Sequence, residues 1–231
     1  MIQIVISILF TIVLLVFRKT IKKHSIWVYL ISSIIGIFFS VIFINFYDLL
    51  VEDYAKFYYL FSCFESGYLG SIILFLVMFT GVFTRRSPIG KKLYFNRGEF
   101  SIFASILLTP HLSYYSYLFF TEFMADFDPE ILNLREFFIY ITGFLLLILH
   151  TPLFITSFYF IRKRMSNTTW KNIQKLAYPF YFLMFVHIIL TVFELKFTEN
   201  GLKTTFYTLF FAVYIIFKIR KLSLNEIYQS R

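Results

Sequence analysis

Cysteine occurs once in this chain, at Cys63, which excludes an internal disulfide and any metal cluster built on several thiolates. Charged residues make up only 15% of the sequence against 59% hydrophobic ones, too little polar surface to cover a soluble domain of 231 residues. Eight glycines and five prolines form no linker that would divide the chain, and no repeat or low-complexity tract is present. Acids are also scarce, 13 against 22 Lys and Arg, for a net charge of +9. In a soluble protein that excess would point to nucleic acid. Here the bases sit in short connections between apolar runs, so they report membrane topology, and no nucleic-acid partner is expected. The N-terminus has neither a basic lead nor a small-residue cleavage site, so the first run reads as a retained span and not as a signal peptide.

What the chain does have is seven apolar runs, at 2–17, 26–47, 66–84, 100–120, 136–161, 175–194 and 203–217. Most approach the ~20 residues that cross ~30 Å of hydrocarbon, with the first and last at the short end. The expected fold class is all-α: a polytopic transmembrane helix bundle of about seven spans, six if the first run does not cross. Alternate connections, 18–25, 85–99, 162–175 and 218–231, hold four, five, five and four basic residues, eighteen of the 22 in all. The opposite connections hold Lys56, Arg135, Lys196 and Lys203, while all acids but Glu99 and Glu226 lie on that opposite side. The positive-inside rule then predicts a cytoplasmic C-terminus. Tyrosines at the run ends, such as Tyr58, Tyr59, Tyr114, Tyr115 and Tyr117, read as an interfacial belt.

Ionisable side chains inside a bilayer are costly and mark candidate sites. His24 lies in a basic connection and reads as solvated. His111, His150 and His187 fall within runs. His111 lies 14 residues after Arg97, and His187 lies 13 residues after Gln174. At a rise of 1.5 Å per residue, both come about 20 Å from the inner face, on two helices running the same way. Two imidazoles at one depth have the arrangement that a b-type haem with two axial histidines needs. Against this stands the reading of each as a hydrogen-bonded packing residue. His150, deeper in the fifth run, is either an alternative ligand or a haem-propionate or quinone partner, or a packing residue near Pro152. Arg97 is an interfacial anchor or a partner of a propionate or lipid phosphate. Cys63 reads as inert.

Three segments carry a resemblance over the stretch from Gly67 to Lys221: GYLGSIILFLVMFTGVFTRRSPIG, RGEFSIFASILLTPHLSYY and TPLFITSFYFIRKRMSNTTWKNIQKLAYPFYFLMFVHIIL. In order and spacing they resemble the ferric-reductase-like transmembrane domain family, and within it the haem-binding membrane subunit of the bacterial periplasmic methionine-sulfoxide reductase system. The resemblance implies a membrane cytochrome b in which His111 and His187 are the axial ligands of an outer haem. At the positions of the family's inner histidines stand Arg97 and Gln174, neither a normal iron ligand, while Trp170, Ile173 and Tyr178 keep the surrounding motif. One haem b is therefore expected, not two. The division implied is 1–65 as one or two additional spans, 66–221 as the haem-binding bundle and 222–231 as a short cytoplasmic tail.

The family also implies electrons from a cytoplasmic flavin reductase carrying FMN or from membrane quinol. The acceptor implied is extracytoplasmic, such as a methionine-sulfoxide reductase subunit, in a bacterial inner membrane. The residues from Lys218 to Arg231 carry no G-x-G-x-x-G, so the expected donor is a separate protein or a quinol. A haem-free structural or partner-binding subunit on the same scaffold is the first alternative. A transporter is the second, disfavoured because no Asp or Glu falls within a run interior.

Overall fold

Long runs of Leu, Ile, Val and Phe, with few glycines and prolines between them, favour helices that satisfy their own backbone polar groups. The computed structural model describes residues 1–53, 57–83, 88–124, 133–193 and 198–229. Lys56, Arg85, Arg86, Lys196 and Arg231, used above to read topology, lie outside the described residues. Among the described residues every regular element is helical. In order they are α1 (Ile2–Val16), α2 (Arg18–Lys23), α3 (Ser25–Asp53), α4 (Tyr58–Glu65), α5 (Tyr68–Phe79), α6 (Pro88–Phe95) and α7 (Arg97–Leu107). Then come α8 (Thr109–Leu118), a π-helical turn (Phe119–Phe123), α9 (Leu134–Ile155), α10 (Tyr159–Arg162), α11 (Asn167–Gln174), α12 (Ala177–Val192) and α13 (Glu199–Gln229).

Among the described residues, four stretches are long and apolar enough to cross a membrane: Ser25–Tyr47, Leu134–Ile155, Asn167–Val192 and Glu199–Lys221. The pair α4 and α5, bent by 55°, makes a fifth if it is counted as one span. The remaining two apolar runs form shorter helices. The first is α1, of 15 residues. The run at 100–120 is split into α7 and α8, and Pro110 is the cause: it has no N–H to offer the Ile106 carbonyl four residues back. Gly36 on α3 lies against that carbonyl, since a Cβ at Gly36 would sit 3.1 Å from Ile106 O.

The chain forms two compact units. The first comprises Met1–Val77, Phe95–Leu132 and Phe154–Ser166; the second comprises Met78–Tyr94, Asn133–Leu153 and Asn167–Arg231. In the first, α3 packs along α7 and α8, α1 on α4, and α4 on α8. Phe43, Ile73, Phe75, Phe100 and Phe103 are buried there. The buried face of α1 is a stripe of Gln3, Ser7 and Thr11. Ser7 and Thr11 donate to carbonyls one turn back at 2.8 Å, so these side chains stay small and satisfied where α4 approaches. Cys63 is wholly buried against that stripe.

In the second unit α12 packs on α13, with Phe185 and Phe211 4.6 Å apart between ring centroids. The last turn of α5 joins them through Phe79, which meets Phe210 and Tyr214 edge-on. In both units the long helices turn large apolar side chains outward, among them Ile34, Ile37 and Phe38 on α3, Phe144 and Ile148 on α9, and Phe182 on α12. So much exposed hydrocarbon on every long helix suits a lipid bilayer.

Candidate functional site

His111 lies on α8 in the first unit, and its setting is created by the break between α4 and α5. Gly67 turns the chain there with φ +69°, a conformation glycine adopts without strain. A helix that stops loses the i+4 partners of its last carbonyls. The carbonyl of Glu65 is one of these, and His111 Nδ1 lies 2.7 Å from it. Gly67 also clears the ring, because a Cβ there would fall 3.1 Å from His111 Cγ. One turn along α8, Tyr115 donates its hydroxyl to Glu65 Oε1 at 3.0 Å and sets its ring 4.8 Å from the imidazole. A carbonyl oxygen only accepts. Nδ1 of His111 therefore carries the proton, and Nε2 is the nitrogen with the lone pair.

His187 lies on α12 in the second unit, and the same logic is built there from different parts. Its Nδ1 is 3.0 Å from Oγ1 of Thr142 on α9. A threonine hydroxyl has one proton, and Thr142 directs it to the Phe138 carbonyl at 2.7 Å, shared with Ile139 at 3.0 Å. Its oxygen is then an acceptor toward the ring, so His187 is also the Nδ1–H tautomer. Gly143 leaves room beside the imidazole: a Cβ there would lie 3.4 Å from Cε1. Where α9 begins and α12 ends, Arg135 donates Nε to Leu190 O at 2.6 Å and Nη2 to Thr191 O at 2.9 Å. These are terminal carbonyls of α12 that would otherwise lack partners.

His150 is 8% exposed and lies on α9, eight residues beyond Thr142, about 12 Å along the helix. Its ring stacks on Phe180 of α12, with centroids 5.3 Å apart and planes 29° apart. Arg97 opens α7 and Gln174 closes α11, both half-buried, and neither brings an imidazole. Beside Arg97, Glu99 pairs with Lys22 at 3.4 Å, and the same ammonium caps the Phe95 ring and carbonyl.

His111 and His187 thus share one chemistry: an imidazole donating through Nδ1 to a helix-borne oxygen and presenting Nε2 as the basic nitrogen. That is the state in which histidine binds iron, so the donor set fits a haem held by two imidazoles. Among the described residues no three or more His, Cys, Asp or Glu group together as a metal-ion site. The sequence reading singled out both histidines but gave no site role to Glu65, Gly67, Thr142, Gly143 or Arg135. Tyr115, at i+4 from His111, was within its reach as a helix-face neighbour.

Among the described residues, fold and site define an all-helical protein whose long apolar helices suit a bilayer and whose His111 and His187 each set Nδ1 against an oxygen of another helix. One curated relative, an uncharacterized protein of Treponema pallidum (strain Nichols), is 37% identical over 91 residues, which cover 35% of this chain and 25% of the relative. The chain therefore matches about a quarter of that relative's length. No family model matches the chain, and no solved structure matches it.

Proposed function

We propose that this protein is a membrane cytochrome b that carries electrons through one haem b held between His111 and His187. The observation that carries the reading is that Nδ1 of each ring lies within hydrogen-bond distance of an oxygen on another helix, Glu65 O for His111 and Thr142 Oγ1 for His187. In this reading a bound haem supplies a one-electron iron couple. The chain's own residues do the rest. His111 and His187 offer Nε2, and Glu65 and Thr142 hold the rings in orientation. The donor is a cytoplasmic flavin reductase or membrane quinol, and the acceptor an extracytoplasmic redox protein such as a methionine-sulfoxide reductase subunit. The chain lies in a bacterial inner membrane with about seven spans and its C-terminus in the cytoplasm.

Two contacts support that orientation, one in each unit. Lys22 meets Glu99 and Phe95, joining two basic connections expected on one side. Lys221 donates to Gly81 O at 2.8 Å, joining the basic tail to the inner end of the third run.

A haem-free structural subunit is the second reading, favoured by the fact that an imidazole donating to a carbonyl or a hydroxyl is already a satisfied packing group. The absorption spectrum of the purified chain separates the two. The cytochrome reading expects a reducible Soret band and about one haem per chain by pyridine haemochrome. His111→Ala and His187→Ala each abolish that band, whereas His150→Ala keeps it. A band that survives loss of His187 but not of His150 overturns the assignment, and a wild-type chain without any band leaves the structural reading.

A further inference from the structure

We propose that Thr142 is the positioning residue for His187. It fixes the Nδ1–H tautomer, presents Nε2 as the ligand nitrogen and sets how strongly that nitrogen donates. The proposal rests on the cytochrome reading for its redox consequence, and on the second unit's geometry alone for the tautomer.

The argument begins with proton counting on α9. Thr142 is 8% exposed in the middle of an apolar helix, where a hydroxyl must find a partner. Its proton is committed to Phe138 O at 2.7 Å, one turn back on its own helix. What remains is an oxygen lone pair, and His187 Nδ1 lies 3.0 Å from it. The interaction therefore has one polarity: ring donates, threonine accepts. Gly143, the next residue, keeps the helix surface beside the ring low, with a notional Cβ still 3.4 Å from Cε1. Arg135, two turns toward the start of α9, holds the end of α12 through Leu190 O and Thr191 O. Thr191 in turn donates Oγ1 to the His187 carbonyl at 2.8 Å. The residue that carries the ring is thus tied on both sides of the contact, so Thr142 and the imidazole keep their register.

The chemical consequence follows from imidazole itself. A hydrogen bond from Nδ1–H to an acceptor increases the basicity of Nε2 and strengthens it as a donor to iron. A stronger donor stabilises ferric over ferrous iron and lowers the reduction potential. The other ring donates to a peptide carbonyl at the shorter distance of 2.7 Å. A carbonyl cannot be removed by side-chain substitution, so Thr142 is the one of the two acceptors that mutation can delete.

The test uses the full chain in detergent and two substitutions. Thr142→Val keeps the shape and removes the acceptor; Thr142→Ser restores it. With haem bound, Thr142→Val shifts the reduction equilibrium toward the ferrous state by up to about tenfold, about 59 mV for one electron. Thr142→Ser returns it to the wild-type value with the Soret band intact. In apoprotein, NMR of isotope-labelled histidine shows the Nδ1–H form of His187 in wild type and Thr142→Ser, and a mixture of tautomers in Thr142→Val. An unchanged potential in a haem-loaded Thr142→Val, or an unchanged tautomer in its apoprotein, overturns the proposal. If the wild-type chain binds no haem, the electron-carrier reading falls alone, and the tautomer measurement still decides the role of Thr142.

Discussion

An imidazole inside a bilayer has two nitrogens and one proton at neutral charge, so its neighbours decide what it can do. At His111 the decision is made by one residue of unusual backbone. Gly67, at φ +69°, ends α4 so that Glu65 O is available, and its missing Cβ leaves the ring its place. Gly67→Ala forces an L side chain into left-handed backbone, at about 1–2 kcal/mol. It also drives a methyl to within 3.1 Å of His111 Cγ. The expected outcome is lower unfolding stability in detergent together with, in the cytochrome reading, loss or weakening of the Soret band. Gly67→Asn, better tolerated at positive φ, should be the milder backbone change. An alanine variant with wild-type stability and spectrum would show that the break does not position the ring. The histidines were legible in the sequence because ionisable residues stand out against Leu, Ile and Phe. Glu65 and Thr142 were not: one acts through a carbonyl that every residue has, and the other through a hydroxyl whose partner is 45 positions away.

At the scale of elements, the apolar runs named the helices better than their breaks. The runs at 26–47 and 136–161 became α3, kinked at Phe46, and α9, which accommodates Pro152 but ends at Ile155, short of the end of its run. Where sequence and structure part, a local cause is visible. Pro110 divides one run into two helices by withholding an N–H. The third run gains a preceding helix, α4, because the sequence reads as a connection up to Glu65 although the chain only bends there.

Close approach of these pieces depends on small residues, since lipid offers no hydrophobic drive for helices to associate. Gly70 on α5 is the sharpest case: a Cβ there would lie 2.7 Å from the Ala104 carbonyl of α7, a backbone atom that cannot rotate away. Gly70→Ala is expected to push α5 from α7 and destabilise the first unit by about 1–3 kcal/mol. Gly81→Ala, where a Cβ meets only Met78 O at 3.4 Å, should be close to neutral. Thermal unfolding of the two variants in the same detergent checks the ordering, and equal midpoints would refute it.

For the whole molecule, the consequential question is which face is inside, because in the cytochrome reading it decides from which side electrons enter. Basic residues resist crossing the membrane, so the side on which they gather is the cytoplasmic one. Within the first unit, Lys22 of one basic connection reaches Glu99 and Phe95 of another. Within the second, Lys221 reaches Gly81 O, and Lys218 donates to the Tyr178 hydroxyl at 3.1 Å while lying over its ring. Segments expected to share a side therefore meet, in each unit separately. The opposite side has its own meeting: Arg135, at the start of α9, caps the end of α12.

A fluorescent protein fused after Arg231 should therefore fold and fluoresce, whereas alkaline phosphatase at the same point should be inactive. Phosphatase inserted between Asn133 and Leu134, ahead of α9, should be active. Exchanging Lys218, Arg220 and Lys221 for Gln should weaken the orientation signal without inverting it, since the basic residues at 18–25 and 162–175 still hold their connections inside. An active phosphatase at the C-terminus would invert the molecule. In the cytochrome reading His111 and His187 would then lie toward the cytoplasm, and the acceptor would have to be sought there.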